Sequence, residues 1–178
     1  EMCIKRQVPT MGALHAGHGK LLDEARRQTE CVVASIFVNP IQFDRPEDLE
    51  RYPRPLESDL RFCGERGVDI VFAPELSEMY PDPPLAFVEV ARVSEKLCGE
   101  FRPGHFRGVA TVVLKLFNII PPDRAYFGEN DAPQLAVLRR MALDLTVPVE
   151  VVDVHTARES ARLAPRPRHQ PPSAPERQ

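Results

Sequence analysis

His15 and His18 stand three residues apart in the run Met11-Gly12-Ala13-Leu14-His15-Ala16-Gly17-His18. The run follows a short β-like segment and precedes a helical one, Lys20 to Arg27. At that spacing on a helix, the two imidazoles share one face. A helix N-terminus offers unpaired N–H groups and a dipole that favours anions. The imidazoles add hydrogen-bond donors, and partial positive charge when protonated. Gly12 and Gly17 let backbone come close to a ligand. The chemistry these residues suit is the holding of a polyphosphate. Two other readings stand beside it. A zinc site needs a third ligand and commonly H-E-x-x-H, but Ala16 stands where that Glu would be. A purely structural histidine pair is the other, and the Gly-rich strand-to-helix setting weighs against it.

Two further segments could carry chemistry. Asn39 and Gln42, in Phe37-Val38-Asn39-Pro40-Ile41-Gln42-Phe43, place amides after an apolar strand. Such amides suit a carboxylate, hydroxyl or amine. Asn39-Pro40 also initiates a turn, but a turn does not account for Gln42 between two apolar residues. Gly128-Glu129-Asn130-Asp131, followed by Ala132-Pro133-Gln134, joins a strand to a helix, where phosphate or ribose could meet helix N-terminal amides. An N-cap Asp is commonplace, so this pattern alone is weak.

The elements that must position these residues alternate. Cys31 to Val38 is β-branched and apolar, a strand buried on both faces. Leu56 to Arg66 reads as a helix with Leu56, Leu60 and Cys63 on its inner side and Gly67 ending it. Val68 to Ala73 is a second strand and Leu85 to Val90 a third. Val109 to Phe117 is apolar at too many positions for a surface helix and reads as a buried one. Arg124 to Phe127 is a short strand. Asp131 to Leu145 reads as an amphipathic helix capped by Asp131, and Val149 to Val154 as a last strand. Alternation of this kind predicts parallel β-α-β units, and ligands in such sheets bind at the carboxyl ends of the strands. The loops after Val8, Val38 and Phe127 are therefore the ones to watch.

Composition bounds the rest. The 178 residues suffice for one domain with its own core, at 43% hydrophobic residues and a formal net charge of -3. That balance gives no reason to expect a nucleic-acid or membrane partner and favours small molecules. The four cysteines are scattered, with no C-x-x-C pair, which argues against structural zinc and disulfides; Cys31 and Cys63 read as buried thiols. No secretory signal or spanning segment is visible, so the cytoplasm is the default location. The chain begins at Glu1, which leaves room for missing N-terminal sequence. Residues 160–178 are rich in proline and arginine, and from Ala164 they contain no Leu, Ile, Val or Phe. They read as a disordered tail behind a nucleotide-binding catalytic domain at 1–159.

Taken in order, Pro9–His18, Ser35–Phe43, Tyr52–Arg54, Met79–Pro81, Arg102–Ile119 and Pro122–Met141 resemble the pantothenate synthetase (pantoate–β-alanine ligase) family. That family belongs to the nucleotidyltransferase superfamily with an H-x-G-H signature, here His15-Ala16-Gly17-His18. The resemblance implies a Rossmann-like α/β fold, a parallel sheet with flanking helices. It implies ATP with Mg²⁺ carried on its phosphates, no metal held by the protein, and pantoate and β-alanine as co-substrates. Pantoate would be activated as pantoyl-adenylate. Met11 to His18, Gly128 to Asp131 and Ala157 would bind ATP, and His18 would act as the acid that assists pyrophosphate departure. Gln42, Gln134 and Asn39 would hold the other substrates. A homodimer through the family's own surface is an open expectation.

This chain departs from the family at several places. The family's G-E-K-D reads Gly128-Glu129-Asn130-Asp131, so a phosphate-contacting lysine is replaced by an amide without its charge. Losing such a contact costs roughly 3 kcal/mol of transition-state stabilisation. The family's Ser-Ser pair after position 159 is not matched, only Arg168 standing where the loop's arginine should be, and the C-terminal lid domain is expected to be missing, as in a frameshifted or truncated product. Ile4 to Gln7 is less apolar than a buried first strand should be, and Gly19 stands where a helix would prefer Leu. The expected alternative to an active ligase is therefore a catalytically impaired remnant that still binds nucleotide or pantoate. A different nucleotidyltransferase is a third reading, against which Gln42 and Gln134 argue.

Overall fold

A computed structural model describes residues 5–29, 31–91 and 104–155. Within them, five strands form one wholly parallel sheet: β1 (Lys5–Thr10), β2 (Cys31–Ile36), β3 (Ile70–Phe72), β4 (Arg124–Gly128) and β5 (Glu150–Val154). The strand order is β3-β2-β1-β4-β5. The chain first runs outward from β1 to β3, then crosses back to lay β4 on the other side of β1. The order therefore reverses between β1 and β4, and at such a switch point a crevice opens at the carboxyl ends.

Among the described residues there are six α-helices, α1 (Ala16–Gln28), α2 (Pro46–Glu50), α3 (Leu56–Gly64), α4 (Leu76–Met79), α5 (His105–Ile119) and α6 (Ala132–Asp144), of which α1, α3, α5 and α6 pack on the sheet. One core lies between the sheet and α5 with α6, around Val109, Val113, Phe117, Phe127, Leu138 and Met141. The other lies beneath α1 and α3, around Val8, Leu22, Val32, Cys63 and Tyr126. Burying each Leu or Val of this kind contributes about 1.5–3 kcal/mol. Nine of the fifteen α5 residues are buried, the burial its apolar composition predicts.

Several expectations need correction. Leu85 to Val90 is not a strand. Leu85 is 97% exposed, and the Val88 N–H donates to Thr111 Oγ1 rather than to a neighbouring strand. In α3 the inward residues are Asp59 and Cys63, while Leu56 and Leu60 are each 44% exposed. Their spacing fits one stripe as well as the other, and the buried carboxylate has partners that local periodicity cannot reveal. Asp131 occupies the N-cap position of α6, but its side chain makes no capping bond. β2 ends at Ile36, two residues early, and α1 begins at Ala16, four residues early. Gly19 has a reason to lack a side chain: a Cβ there would lie 2.7 Å from Arg66 Nε, and that guanidinium rests 3.7 Å from the Phe62 ring centroid. Cys63 is buried as expected, whereas Cys31 is only partly buried. Cys3, Cys98, Ala157 and the segment 160–178 lie outside the described residues. Among the described residues, no helix is long and apolar enough to cross a membrane.

Candidate active site

The loop after β1 is fixed before any ligand arrives. Thr10 Oγ1 donates to the Ser35 carbonyl at 2.8 Å and accepts the Gly12 N–H at 3.2 Å. Gly12 and Ala13 then adopt positive φ, 78° and 50°. That turn directs the Ala13 and Leu14 N–H groups at Asp59, whose carboxylate accepts them at 2.8 and 2.7 Å. Asp59 is 2% exposed, so both bonds form out of water. Gly12 is required twice over, by its φ and by space: a Cβ would stand 2.8 Å from Asp59 Oδ2.

The histidines complete the turn into α1. His15 is the N-cap, and its Nδ1 accepts the Gly17 N–H at 3.1 Å. His18 Nδ1 accepts the His15 N–H at 3.3 Å. The two rings form a reciprocal capping box, with centroids 4.2 Å apart. An Nδ1 that accepts carries no proton, so each neutral ring holds its proton on Nε2. Burial, with His15 alongside, lowers the His18 pKa from 6.5 to about 3. His18 is thus a neutral N–H donor at physiological pH, with its proton aimed away from the loop backbone.

This corrects one part of the sequence-based expectation. The N–H groups of Gly12, Ala13, Leu14, His15 and Gly17 all have partners within the chain. What this loop offers an anion is imidazole N–H and helix dipole rather than a cradle of open amides at those five positions.

The second segment forms a 3-10 turn at Pro40–Gln42, at the carboxyl end of β2. Asn39, 1% exposed, donates from Nδ2 to Gln42 Oε1 at 3.0 Å and to the Gly108 carbonyl at 3.1 Å. Tyr80 donates its hydroxyl proton to Asn39 Oδ1 at 3.1 Å. Gln42 is 8% exposed, and its Nε2 lies 3.0 Å from Met11 Sδ. The Gln42 amide therefore abuts the β1 loop, while Asn39 is enclosed behind it. His105 Nδ1 meets the Gln42 carbonyl at 2.8 Å, and a Cβ on Gly108 would lie 2.4 Å from the Ile41 carbonyl oxygen. The first turn of α5 thus packs backbone to backbone on the Gln42 turn.

The third segment leaves β4 beside β1. Glu129–Asp131 forms a 3-10 turn that leads into α6, with Gln134 in the first turn of that helix, partly buried. Glu129 pairs with His155 at the end of β5. Met11 and Gln42 are in direct contact, His15 and His18 pair, and the 128–131 turn shares the same sheet edge. Sequence reading missed Thr10, Asp59, Tyr80, His105 and Gly108, because each acts through a contact distant in the chain. Among the described residues, no group of three or more His, Cys, Asp or Glu side chains is placed to hold a metal.

Fold and site together define a Rossmann-like α/β domain of the nucleotidyltransferase type, with paired histidines at the opening of the helix after β1. A sequence model of the family "Pantoate-beta-alanine ligase" matches residues 5–178, a range that includes the proline-rich segment from 160. The pantothenate synthetase of Aquifex aeolicus is 56% identical over 157 residues, covering 88% of this chain and 56% of the relative. A crystal structure of pantothenate synthetase from Thermus thermophilus superposes with a TM-score of 0.93 at 51% identity, covering 97% of this chain and 63% of that one. Pantoate-beta-alanine ligase from Francisella tularensis, crystallised with "Beta-gamma ATP and Beta-alanine", also gives 0.93, at 35% identity, covering 98% and 67%. This chain belongs to the pantoate-beta-alanine ligase family. It spans about half the length of the curated relatives it matches.

Proposed function

We propose that this chain binds ATP and pantoate at the carboxyl edge of its sheet and activates pantoate for condensation with β-alanine. The observation that carries this reading is the histidine capping box, which holds two imidazoles with protons on Nε2 beside the Met11–Gln42 contact. The relatives' names and the ligands of the Francisella protein support it.

In the first step, a pantoate carboxylate oxygen attacks the α-phosphorus of ATP. The bond from that phosphorus to the bridging oxygen breaks, and pyrophosphate leaves. His15 and His18 donate hydrogen bonds toward the phosphate charge that grows on the leaving group. Gln42 and Gln134 hold pantoate, and Asn39 acts behind Gln42 rather than on substrate. In the second step, the β-alanine amine attacks the acyl carbon, the acyl–oxygen bond to AMP breaks, and the amine loses a proton. Most of the catalysis is positioning and charge neutralisation. Mg²⁺ would be carried by the triphosphate rather than by protein ligands, and would supply charge neutralisation on its phosphate oxygens. Gly128 to Asp131, on the β4 side of the sheet edge, contribute further nucleotide contacts. A cytoplasmic location and pairing of two copies belong to the same reading, and sedimentation velocity reports the pairing.

One observation favours a weaker version. Asn130 occupies the position of the family's lysine, so phosphate binding is kept on the β1 side and loses a charge on the β4 side. Pantoate-dependent exchange of pyrophosphate into ATP tests the first step, and β-alanine-dependent AMP release the second. Absence of turnover at high enzyme concentration would sink the ligase reading. Calorimetric binding of ATP and pantoate without turnover would establish the impaired one.

A further inference from the structure

A carbonyl oxygen can only accept a hydrogen bond, and that fact orders a chain of amides in this site. The Gly108 carbonyl lies 3.1 Å from one end of the Asn39 amide, so that end is Nδ2. The other end, Oδ1, then faces the Tyr80 hydroxyl at 3.1 Å, which must donate. The second Nδ2 proton goes to Gln42, so the atom of Gln42 that receives it is Oε1. Gln42 is left to turn Nε2 toward Met11 and the loop that precedes the histidines. The Tyr80 ring is itself held, 6.0 Å from Phe37 and with Lys115 Nζ 4.7 Å above its face. Burial also pushes the Tyr80 pKa up to about 12, so the hydroxyl keeps its proton.

We propose that Tyr80 is a positioning residue that, together with the Gly108 carbonyl that orients the Asn39 amide, holds Asn39 and through it the polarity of Gln42, so that this corner of the site presents N–H donors and selects an oxygen acceptor over an amine. The assignment deepens the ligase reading and rests on it for the identity of the acceptor, a pantoate oxygen. It also separates the two co-substrates. The amine of β-alanine, a donor when protonated, finds no acceptor at Gln42.

Two variants test the relay. Tyr80→Phe removes only the hydroxyl. Tyr80→Phe/Asn39→Leu removes the whole relay and takes the donor away from Gln42 Oε1 and the Gly108 carbonyl, so its melting temperature is measured alongside. Calorimetry is expected to show pantoate binding weakened about threefold to tenfold by the single change and further by the double one, as loss of one or two ordered hydrogen bonds implies. ATP affinity is expected to fall less than pantoate affinity, since neither Tyr80 nor Asn39 is bonded to the histidine capping box. A ligand-free measurement accompanies these. In the parent chain, nuclear Overhauser contacts link the Gln42 side-chain N–H protons to the Met11 methyl, and in the double variant they fade. If those contacts persist in the double variant, the relay is overturned, whatever pantoate does. If they fade as expected but the parent chain binds no pantoate, the relay stands and the substrate reading falls. Equal losses of ATP and pantoate affinity, with a lowered melting temperature, would reduce Tyr80 to a folding role and overturn the proposal.

Discussion

An imidazole that accepts a backbone N–H at Nδ1 has only Nε2 to offer a ligand, and both His15 and His18 are held that way. The shift of His18 to about 3 makes it a neutral donor until a phosphate lies against it. Negative charge at that distance favours the protonated ring, so ATP binding is expected to take up protons at mildly acidic pH. Calorimetry in buffers of differing ionisation enthalpy measures this uptake, and it should vanish in His18→Gln. His18→Ala, which removes the donor altogether, is expected to slow pyrophosphate exchange about a hundredfold to a thousandfold, the usual cost of losing one preorganised donor at a developing charge. Asn130→Lys should act in the opposite direction. Restoring a cation against the phosphates is expected to raise exchange by about a hundredfold, or roughly 3 kcal/mol. An unchanged rate would mean that the missing lysine is not what limits this chain. The histidine run and the Asn39–Gln42 turn could be singled out in sequence because their segments are contiguous. Tyr80 and Asp59 were not, because their roles exist only once distant elements meet.

At the scale of elements, the site depends on two contacts made across the fold. The first is α3 reaching the β1 loop through Asp59. Asp59→Asn keeps the shape but turns one acceptor into a donor that faces a backbone N–H. The expected cost is about 1.5–3 kcal/mol in urea-denaturation stability, with ATP affinity lowered at the same time. Gly12→Ala would force a side chain into a positive φ and against that carboxylate, and should cost about 1–3 kcal/mol by the same measurement. The second contact is α5 on the Gln42 turn. Gly108→Ala places a methyl 2.4 Å from the Ile41 carbonyl oxygen, so the helix must move. Pantoate affinity is expected to fall more than ATP affinity, because the displaced residues are those around Gln42. Helix existence was plain from periodicity in α5 and α6. The inward face of α3 was misread because Leu56 and Leu60 look like core residues, whereas α3 turns a carboxylate inward to serve a loop 45 residues away.

For the whole molecule, alternating apolar runs made the parallel sheet legible before its strand order was known. The order itself, with β1 in the middle, comes from tertiary packing that no local run encodes. The short elements α2 and α4 and the irregular path at 85–90 were equally hidden, since so few residues carry little periodic signal. Stability should follow pH in a defined way. The unfolded chain protonates His18 near its ordinary 6.5, while the folded chain resists until about 3. The contribution of this group is thus complete above pH 6.5 and is lost as pH falls from there toward 3. Urea midpoints measured between about pH 7 and pH 5 should decline, and less steeply in His18→Gln. The histidine loop has a kinetic consequence as well. Five of its N–H groups are already paired inside the chain, so an arriving nucleotide does not have to order this loop. Association is then governed by diffusional encounter, and its rate answers to solvent viscosity and ionic strength instead of saturating at high nucleotide concentration.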